Sequence, residues 1–263
     1  MNRKTKVIAF ANNKGGSGKT TTCANVGYSL STLGHRVLLI DGDMQMNLTL
    51  SFFEEEKVLE MASGKRNLYE AVLEERDFSG DVYPTRYPNL DLIPSSTLMS
   101  GIEYELFTKE QSKFLFKNGL KGIRCSGDYE YILVDAPPTL GGWVMNILCA
   151  SDAVILPIEA SPWGLFGMAN MFDFLEAARK DNQALELLGI VLTKVDARKK
   201  YYKQSLESLH QMDGVRVFET VIRIDREVEW AQDSSEPIMV HKKSARSAGE
   251  YLALAKEIDQ LCQ

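Results

Sequence analysis

The sequence predicts an α/β fold: a single domain with a mainly parallel, twisted sheet flanked by helices. Short apolar runs alternate with helical patterns along the chain, as they do in sheets built from strand–helix–strand units. The apolar runs are continuous, which is typical of strands that are buried on both faces. Polar residues directly follow several of these runs, and ligands bind at this edge of an open parallel sheet.

The composition is that of a globular protein and argues against several other classes. The chain has 263 residues, 44% hydrophobic and 25% charged, which is ample for a full core. Its net charge is −6, so any contact with DNA has to come from a local basic patch. The four cysteines are scattered and predict neither a zinc site nor a disulfide framework. No apolar run approaches membrane-spanning length, so we expect a cytoplasmic protein with no membrane partner.

The first strand is followed by the strongest motif. Residues 13–21 read Asn-Lys-Gly-Gly-Ser-Gly-Lys-Thr-Thr and lead into a helical stretch. Glycines let successive backbone N–H groups curl around phosphate oxygens at the start of a helix. Lys19 can reach the outer phosphates, and the Thr20 hydroxyl is placed to bind Mg²⁺. Asn13 stands where the strict phosphate-loop pattern has glycine, and Lys14 adds a second lysine.

The chain then returns to the sheet through a second strand. Gly34 is predicted to end the first helix, and the apolar run 37–40 is predicted to be a buried strand. Residues 6–41 therefore form one βαβ unit. Asp41 and Asp43 follow the strand, at the edge where phosphates and Mg²⁺ are expected. The alternative is that these carboxylates only form a turn.

The middle third of the chain carries no motif to which we can attach chemistry. The pattern predicts a helix over 67–73, with Asn67 as its N-cap. A short strand is predicted over 89–94, and a further helix over 103–118. These elements are expected to extend the fold around the site.

The second strong signal is the apolar run that ends in Asp135. This run reads as a buried strand and breaks at two prolines directly after Ala136. In phosphate-loop NTPases an aspartate at such a strand end holds Mg²⁺ together with the Ser/Thr of the loop. Thr20 and Asp135 are therefore the predicted metal ligands.

The rest of the chain continues the alternation of strands and helices. We predict these elements over 153–158, 165–180, 188–193 and 245–261. Lys194 and Asp196 follow the last of the strands, where polar residues often face the base of a nucleotide.

A basic cluster lies in the last third of this otherwise acidic chain. Residues 198–203 combine four cations with two tyrosines, and more cations follow. The alternative for this cluster is a solvated helix start. The candidate DNA-binding residues are Arg198, Lys199, Lys200, Lys203, Arg223, Arg226, Lys242 and Lys243.

In these motifs the chain resembles the ParA/MinD family of deviant Walker-A ATPases, and ParA-type (Soj-like) members in particular. Residues 13–21 resemble the KGGxGKT phosphate loop, whose hallmark is the early lysine, here Lys14. Residues 41–49 resemble the DxDPQxN first switch, with Met44 in place of the usual proline. Residues 135–141 resemble the DxPPxLG second switch. Further similarity is found in residues 192–198, 222–226 and 244–252.

The resemblance implies a phosphate-loop NTPase that uses ATP and Mg²⁺ and hydrolyses ATP weakly until a partner stimulates it. Two subunits would sandwich two ATP molecules, and Lys14 of each would reach the phosphates held by the other. Asp43 would orient or activate the attacking water. The implied ATP-binding residues are Lys14, Gly15, Gly16, Ser17, Gly18, Lys19, Thr20 and Thr21, to which we add Lys194 and Asp196.

Three functions remain open from the sequence. The first is a ParA-type partition ATPase whose ATP dimer binds DNA non-specifically, associates with the nucleoid and responds to a ParB-like centromere-binding partner. The second is a MinD-like or other positioning ATPase that acts on a protein cargo or a membrane, although the acidic C-terminal residues disfavour a membrane tail. The third is an enzyme on the same scaffold, such as a nitrogenase-type iron protein or an iron–sulfur carrier, which would need bridging cysteines that residues 135–142 lack. The phosphate loop begins almost at the N-terminus, so we expect a single domain over 1–263 without a preceding helix-turn-helix.

Overall fold

The computed structural model describes residues 4–110, 112–161 and 167–263. Its strands are β1 Lys6–Phe10, β2 Val37–Asp41, β3 Tyr83–Pro84, β4 Leu90–Ile93, β5 Tyr131–Asp135, β6 Ala153–Glu159 and β7 Glu186–Thr193. They form one sheet in the order β3-β4-β2-β5-β1-β6-β7. The neighbours pair in parallel, except for β3, which runs antiparallel to β4 at the edge. The predicted α/β fold with a mainly parallel sheet is confirmed.

Helices cover both faces of this sheet. In the first half of the chain they are α1 Lys19–Thr32, α2 Asn47–Leu50, α3 Glu55–Ser63, α4 Leu68–Leu73, α5 Ile102–Thr108, α6 Leu115–Gly119 and α7 Lys121–Ser126. In the second half they are α8 Gly142–Ala150, α9 Met168–Asp181, α10 Lys200–His210, α11 Arg226–Asp233, α12 Ile238–His241 and α13 Arg246–Leu261. Within the described ranges, none of them has the length and apolar character needed to cross a membrane.

The sheet separates two hydrophobic cores, because successive side chains of a strand point to opposite faces. In β1, Val7 and Ala9 belong to the core beneath α4 to α9. Ile8 and Phe10 belong to the opposite core, which α1 and α13 cover. The result is a three-layer α/β/α domain whose central strands are fully buried.

The strand register brings the functional strand ends to one level. Phe10 of β1 and Asp41 of β2 both pair with Asp135 of β5. The phosphate loop fills the gap between β1 and α1, so it lies beside these carboxylates. The predicted βαβ unit over 6–41 is confirmed, as is the N-cap at Asn67, whose Oδ1 accepts the Glu70 backbone N–H at 3.0 Å.

The prediction of one helix over 103–118 is wrong. The chain leaves the helical conformation after Thr108 and forms a 3-10 turn at Ser112–Phe114 before α6 begins. Asn146 of α8 fixes this break, since its Nδ2 donates to the Ser112 carbonyl at 2.6 Å and its Oδ1 accepts the Phe116 N–H at 3.3 Å. The Phe116 ring is then buried edge-on against Trp143. Of the helix predicted over 165–180, residues 165 and 166 lie outside the described residues, and α9 begins at Met168.

The close contact between α1 and the sheet gives a first prediction. A Cβ at Gly27 would lie 2.6 Å from Leu39 Cδ2 and 3.5 Å from Leu133 Cδ1, both buried. We therefore expect Gly27→Val to lower the free energy of unfolding by about 1–3 kcal/mol through overpacking, measured by urea denaturation. Gly249→Ala is the control: nothing lies within 4 Å of that Cβ position, and alanine should stabilise α13 by about 0.5–1 kcal/mol. A Gly27→Val variant that is as stable as the wild type would contradict this packing of α1 against the sheet.

Candidate functional site

The phosphate loop has the backbone conformation that an anion site needs. Gly16 and Gly18 have φ angles of 72° and 85°, and Gly18 directly precedes α1. Thr193, at the end of β7, supports the loop: its hydroxyl donates to the Ser17 carbonyl at 2.8 Å. Its side-chain atoms also lie 3.4 Å from the Cβ position of Gly18. A side chain at Gly18 would therefore meet both an unfavourable φ and a close neighbour.

The start of the loop is tied to the β6 side of the sheet. The Asn12 amide donates to the Pro157 carbonyl at 2.8 Å, and its oxygen accepts the Lys14 N–H at 3.0 Å. Asn13, which replaces the usual glycine, places its amide nitrogen 3.4 Å from the Cβ position of Gly167. Asn13 therefore lies next to Gly167, the residue that precedes α9.

Lys14 does not lie over its own loop. Its Nζ is 3.1 Å from Glu159 Oε2 and 3.5 Å from Ser161 Oγ, and about a third of each paired side chain is exposed. The sequence analysis missed Glu159, although the signal was present: it ends a buried strand, as Asp135 does. Within the subunit, Lys14 is therefore neutralised by a carboxylate.

Lys19 is the buried lysine of the site. It is 6% exposed, and its Nζ donates to the Lys14 carbonyl at 3.2 Å. Burial lowers the pKa of Lys19, while the negative charges of Asp135 and Asp43 act in the opposite direction. The ammonium group is thus held between the loop backbone and two carboxylates.

Asp135 is a buried carboxylate without a hydrogen-bond donor. Both of its oxygens are inaccessible and unpartnered within the described chain. Burial raises the pKa of Asp135 well above its usual value and the Asp41 charge adds to this, whereas nearby Thr20 and Lys19 oppose it. An unpaired buried carboxylate is costly, and a divalent cation would offset that cost. Mg²⁺ keeps several waters and phosphate oxygens, so one carboxylate and one hydroxyl fit its protein ligand set.

The two aspartates of the first switch have different environments. The Asp41 carboxylate is fully buried and accepts the Thr49 N–H at 2.8 Å and the Thr49 hydroxyl at 2.7 Å. It therefore anchors the turn into α2, which is the alternative considered for it. Asp43 lines the open space above the phosphate loop and accepts the Gln45 N–H at 3.0 Å. Met44, which replaces proline, leaves its side chain 42% exposed.

Hydrogen bonds join the two switch regions. The Gly42 N–H donates to the Asp135 carbonyl at 2.9 Å, and Trp143 Nε1 donates to the Gly42 carbonyl at 2.9 Å. Glu103 accepts the N–H groups of Gly142 and Trp143, at 2.9 and 3.1 Å, where α8 begins. A displacement of either switch therefore has to adjust contacts to the other.

A cleft of about 780 Å³ opens above the phosphate loop. One wall is formed by residues 15–21 and Asp43, and the opposite wall by residues 222–225 and α11. Gln232 of α11 donates to the Thr21 hydroxyl at 3.0 Å and links the two walls. This volume lies in the ordinary range of small-molecule sites.

The two residues predicted to face the base lie in different places. Lys194 lines the cleft, whereas Asp196 is not among the residues lining it. Both Asp196 oxygens pair with the Arg198 guanidinium, at 2.9 and 3.0 Å, and these hydrogen bonds lower the pKa of Asp196 to about 2. The contact of Asp196 with a base stays a prediction that the geometry does not favour.

The eight predicted DNA-binding cations are all exposed, and three of them are paired. Arg198 pairs with Asp196, Arg223 with Glu250, and Lys242 with Glu227. Within the described chain no ion pair is formed by Lys199, Lys200, Lys203, Arg226 or Lys243. The structure therefore leaves a smaller set of uncompensated cations than the sequence suggested.

Two of the eight predicted DNA-binding cations, Arg198 and Arg223, lie on adjoining backbone segments. Val195 donates to the Ile222 carbonyl at 3.0 Å and accepts the Ile224 N–H at 3.0 Å, which places Arg223 beside the end of β7. Arg198 follows three residues after Val195 on the same segment. We call residues 198–203, whose cations are exposed, together with Arg223 the basic surface.

Comparisons with known proteins agree with this geometry. Residues 5–187 match a family model described as an AAA domain. The chain is 32% identical over 254 residues to the chromosome partitioning protein ParA of Caulobacter vibrioides, covering 96% of this chain and 93% of that protein. The chain belongs to the ParA/MinD family, and to its ParA type.

Two solved structures resemble this ParA-type chain over nearly its whole length. A plasmid partition protein of Borrelia burgdorferi bound to AMPPNP has a TM-score of 0.77 and 26% identity, covering 98% of both chains. A cobyrinic acid a,c-diamide synthase of Mycobacterium smegmatis with bound ADP and magnesium has a TM-score of 0.80 and 26% identity, covering 96% of this chain and 93% of that one. The same fold is therefore found in a plasmid partition protein and in a cobyrinic acid a,c-diamide synthase.

The buried carboxylate of Asp41 gives a prediction for pH. Burial raises the pKa of Asp41 to about 6, so the native state keeps a proton there that the unfolded chain loses near pH 4. The contribution of this proton to the free energy of unfolding is fully present below about pH 4 and is lost as pH rises towards about 6. We expect the free energy of unfolding of wild type minus that of Asp41→Asn to fall by about 2–3 kcal/mol over this window.

Urea denaturation of both proteins between pH 4 and pH 7 measures this difference. Thr49→Val is the matched control: it removes the hydroxyl that lowers the pKa of Asp41, so the fall should move to higher pH. A difference that does not change with pH would contradict the burial of an ionisable Asp41.

Proposed function

We propose that this ParA-type ATPase dimerises on ATP, binds DNA non-specifically and drives the partition of plasmid, mobile-element or chromosomal DNA. A ParB-like partner would stimulate its weak hydrolysis. One observation carries the proposal: the end of β7 supports the phosphate loop through Thr193 and continues directly into the basic surface. The nucleotide site and the candidate DNA site are therefore parts of one structural unit.

ATP and Mg²⁺ are the proposed cofactors. The backbone of residues 15–21 would bind the phosphates, and Thr20 and Asp135 would hold the metal, consistent with the unpartnered Asp135 oxygens. Bound Mg²⁺ would neutralise charge on the phosphates during transfer to water. Asp43 lines the cleft, and its charge partly opposes the lowering of the Lys19 pKa by burial; it would orient the attacking water.

Dimerisation would supply the remaining cation. A cation provided by a second subunit is worth roughly 10³–10⁵ in the rate of phosphoryl transfer. Lys14 is the proposed cation, and within its own subunit it is paired with Glu159 at 3.1 Å. In the ATP dimer, Lys14 would leave Glu159 and bind the phosphates held by the partner subunit. Hydrolysis would then depend on dimerisation.

This exchange gives a testable prediction. Glu159→Gln removes the charge that holds Lys14, so we expect more ATP-dependent dimer at a given concentration and faster unstimulated hydrolysis. The partly exposed pair is worth about 0.2–1 kcal/mol, which corresponds to a gain of up to about fivefold. Light scattering after gel filtration measures the dimer, and phosphate release measures hydrolysis.

Lys14→Ala provides the control for this experiment. Adding it to Glu159→Gln should abolish the gain, because the released side chain is then absent. A Glu159→Gln protein with the dimer fraction and hydrolysis rate of the wild type would show that the ion pair does not restrain Lys14.

DNA binding is proposed for the basic surface, beginning with the unpaired Lys199, Lys200 and Lys203. A dimer carries two such surfaces, and doubling the number of phosphate contacts raises affinity and makes it more salt-dependent. ATP-driven dimerisation would thereby switch DNA binding on. The protein would then be nucleoid-associated with ATP and dispersed in the cytoplasm without it.

Binding to DNA of random sequence, with ATP, with ADP and without nucleotide, tests this proposal. We expect ATP-dependent binding that weakens steeply between about 50 and 200 mM salt. The triple variant Arg198→Ala, Lys199→Ala, Lys200→Ala should lose most of it. A triple variant of the exposed Lys117, Lys121 and Lys180, also changed to alanine, removes equal charge elsewhere and should bind normally.

Absence of DNA binding would favour a second function. If ATP drives dimerisation but no DNA binds even at low salt, the partition proposal fails. The ion pairs of Arg198, Arg223 and Lys242 reduce the positive charge of this region and favour that alternative. The chain would then be a positioning ATPase that acts on a protein cargo, as MinD-like members of the family are expected to do.

A further inference from the structure

Lys194 has an unusual backbone conformation that its surroundings enforce. Its φ is 51°, in the left-handed region that non-glycine residues enter only at a cost of roughly 1–2 kcal/mol. Both neighbours are anchored: Thr193 donates to the phosphate loop at 2.8 Å, and Val195 is bonded to Ile222 and Ile224 at 3.0 Å each. Strain of this kind, kept by fixed neighbours, is typical of functional positions.

The conformation directs the Lys194 ammonium group over the phosphate loop. Its Nζ lies 4.0 Å from the Cβ position of Gly16, the first left-handed glycine of the loop. The side chain is exposed and lines the nucleotide cleft. In the described part of the chain no carboxylate pairs with it.

The other two lysines near the loop are already engaged. Lys14 is turned away towards Glu159 at 3.1 Å, and Lys19 is buried with its Nζ bonded to the Lys14 carbonyl at 3.2 Å. Lys194 is thus the unpaired cation of this group on the open side of the loop. An ammonium group is a point charge with donors only, which suits phosphate oxygens rather than a mixed donor–acceptor base.

We propose that Lys194 binds the phosphates of the nucleotide held by its own subunit, and not the base. In the isolated subunit Lys19 and Lys194 would then neutralise the phosphates from two sides, leaving Lys14 available for the second subunit. This assignment replaces the base contact expected from the sequence. It rests on the proposed use of ATP and is independent of DNA binding.

Nucleotide affinity of Lys194→Gln tests the assignment. Affinities for ATP, ADP and GTP with Mg²⁺ are measured by displacement of a fluorescent ADP analogue from the full chain. We expect ATP and ADP to bind roughly tenfold more weakly or worse, since a hydrogen bond to a charged group is lost. ATP and GTP should weaken by the same factor, because a phosphate contact does not distinguish bases.

Three further variants test whether a loss of affinity comes from the ammonium group itself, from the left-handed backbone or from the change in net charge. Lys194→Arg keeps the cation and should restore most of the affinity. Lys194→Asn removes the cation but tolerates the left-handed backbone, and should weaken binding as much as Lys194→Gln does. Lys180→Gln removes an equal charge from the exposed end of α9 and should bind as the wild type does.

Each other outcome overturns the proposal. Unchanged affinity in Lys194→Gln would show that the ammonium group contacts nothing on the nucleotide. A changed ratio of ATP to GTP affinity would assign Lys194 to the base. Wild-type affinity of Lys194→Asn beside weak binding by Lys194→Gln would assign the effect to the backbone, and thermal melting of each variant identifies loss of folding.

Discussion

The unpartnered carboxylate of Asp135 is the constraint on which the site depends. The register of three central strands places it beside Phe10 and Asp41, inside the protein, where its oxygens have no hydrogen-bond partner in the described chain. Burial raises its pKa, and the nearby Lys19 compensates only in part. An unpartnered buried carboxylate of this kind is costly, and a bound cation would offset that cost. The fold thus accepts a local cost where ligand binding can offset it.

The switch regions around this carboxylate form one connected unit. Gly42 is bonded to the Asp135 backbone on one side and to the Trp143 indole on the other. Glu103 fixes the start of α8, which carries Trp143. These hydrogen bonds are short, and Gly42 is buried. A movement of one switch therefore has to alter hydrogen bonds to the other. Met44 stands outside this unit with an exposed side chain, so the loss of proline there leaves the bonds intact.

The end of β7 connects the phosphate loop with the exterior. Thr193 holds the loop, Lys194 extends over it, and Val195 joins the segment that carries Arg223. Three successive residues thus support the phosphate loop, line the cleft and join the segment that carries Arg223.

The sequence by itself determined the parts of this protein that depend on neighbouring residues. Strand, glycine loop and helix are local patterns, so the phosphate loop, the βαβ unit and the carboxylate Asp135 could be recognised from spacing. Tertiary structure decided the partners. Asn146 interrupted the expected helix over 103–118, Glu159 turned Lys14 aside, and the left-handed Lys194 came to lie over the loop. Each of these contacts joins residues more than 25 positions apart, and a local pattern carries no information about which distant side chain will meet it.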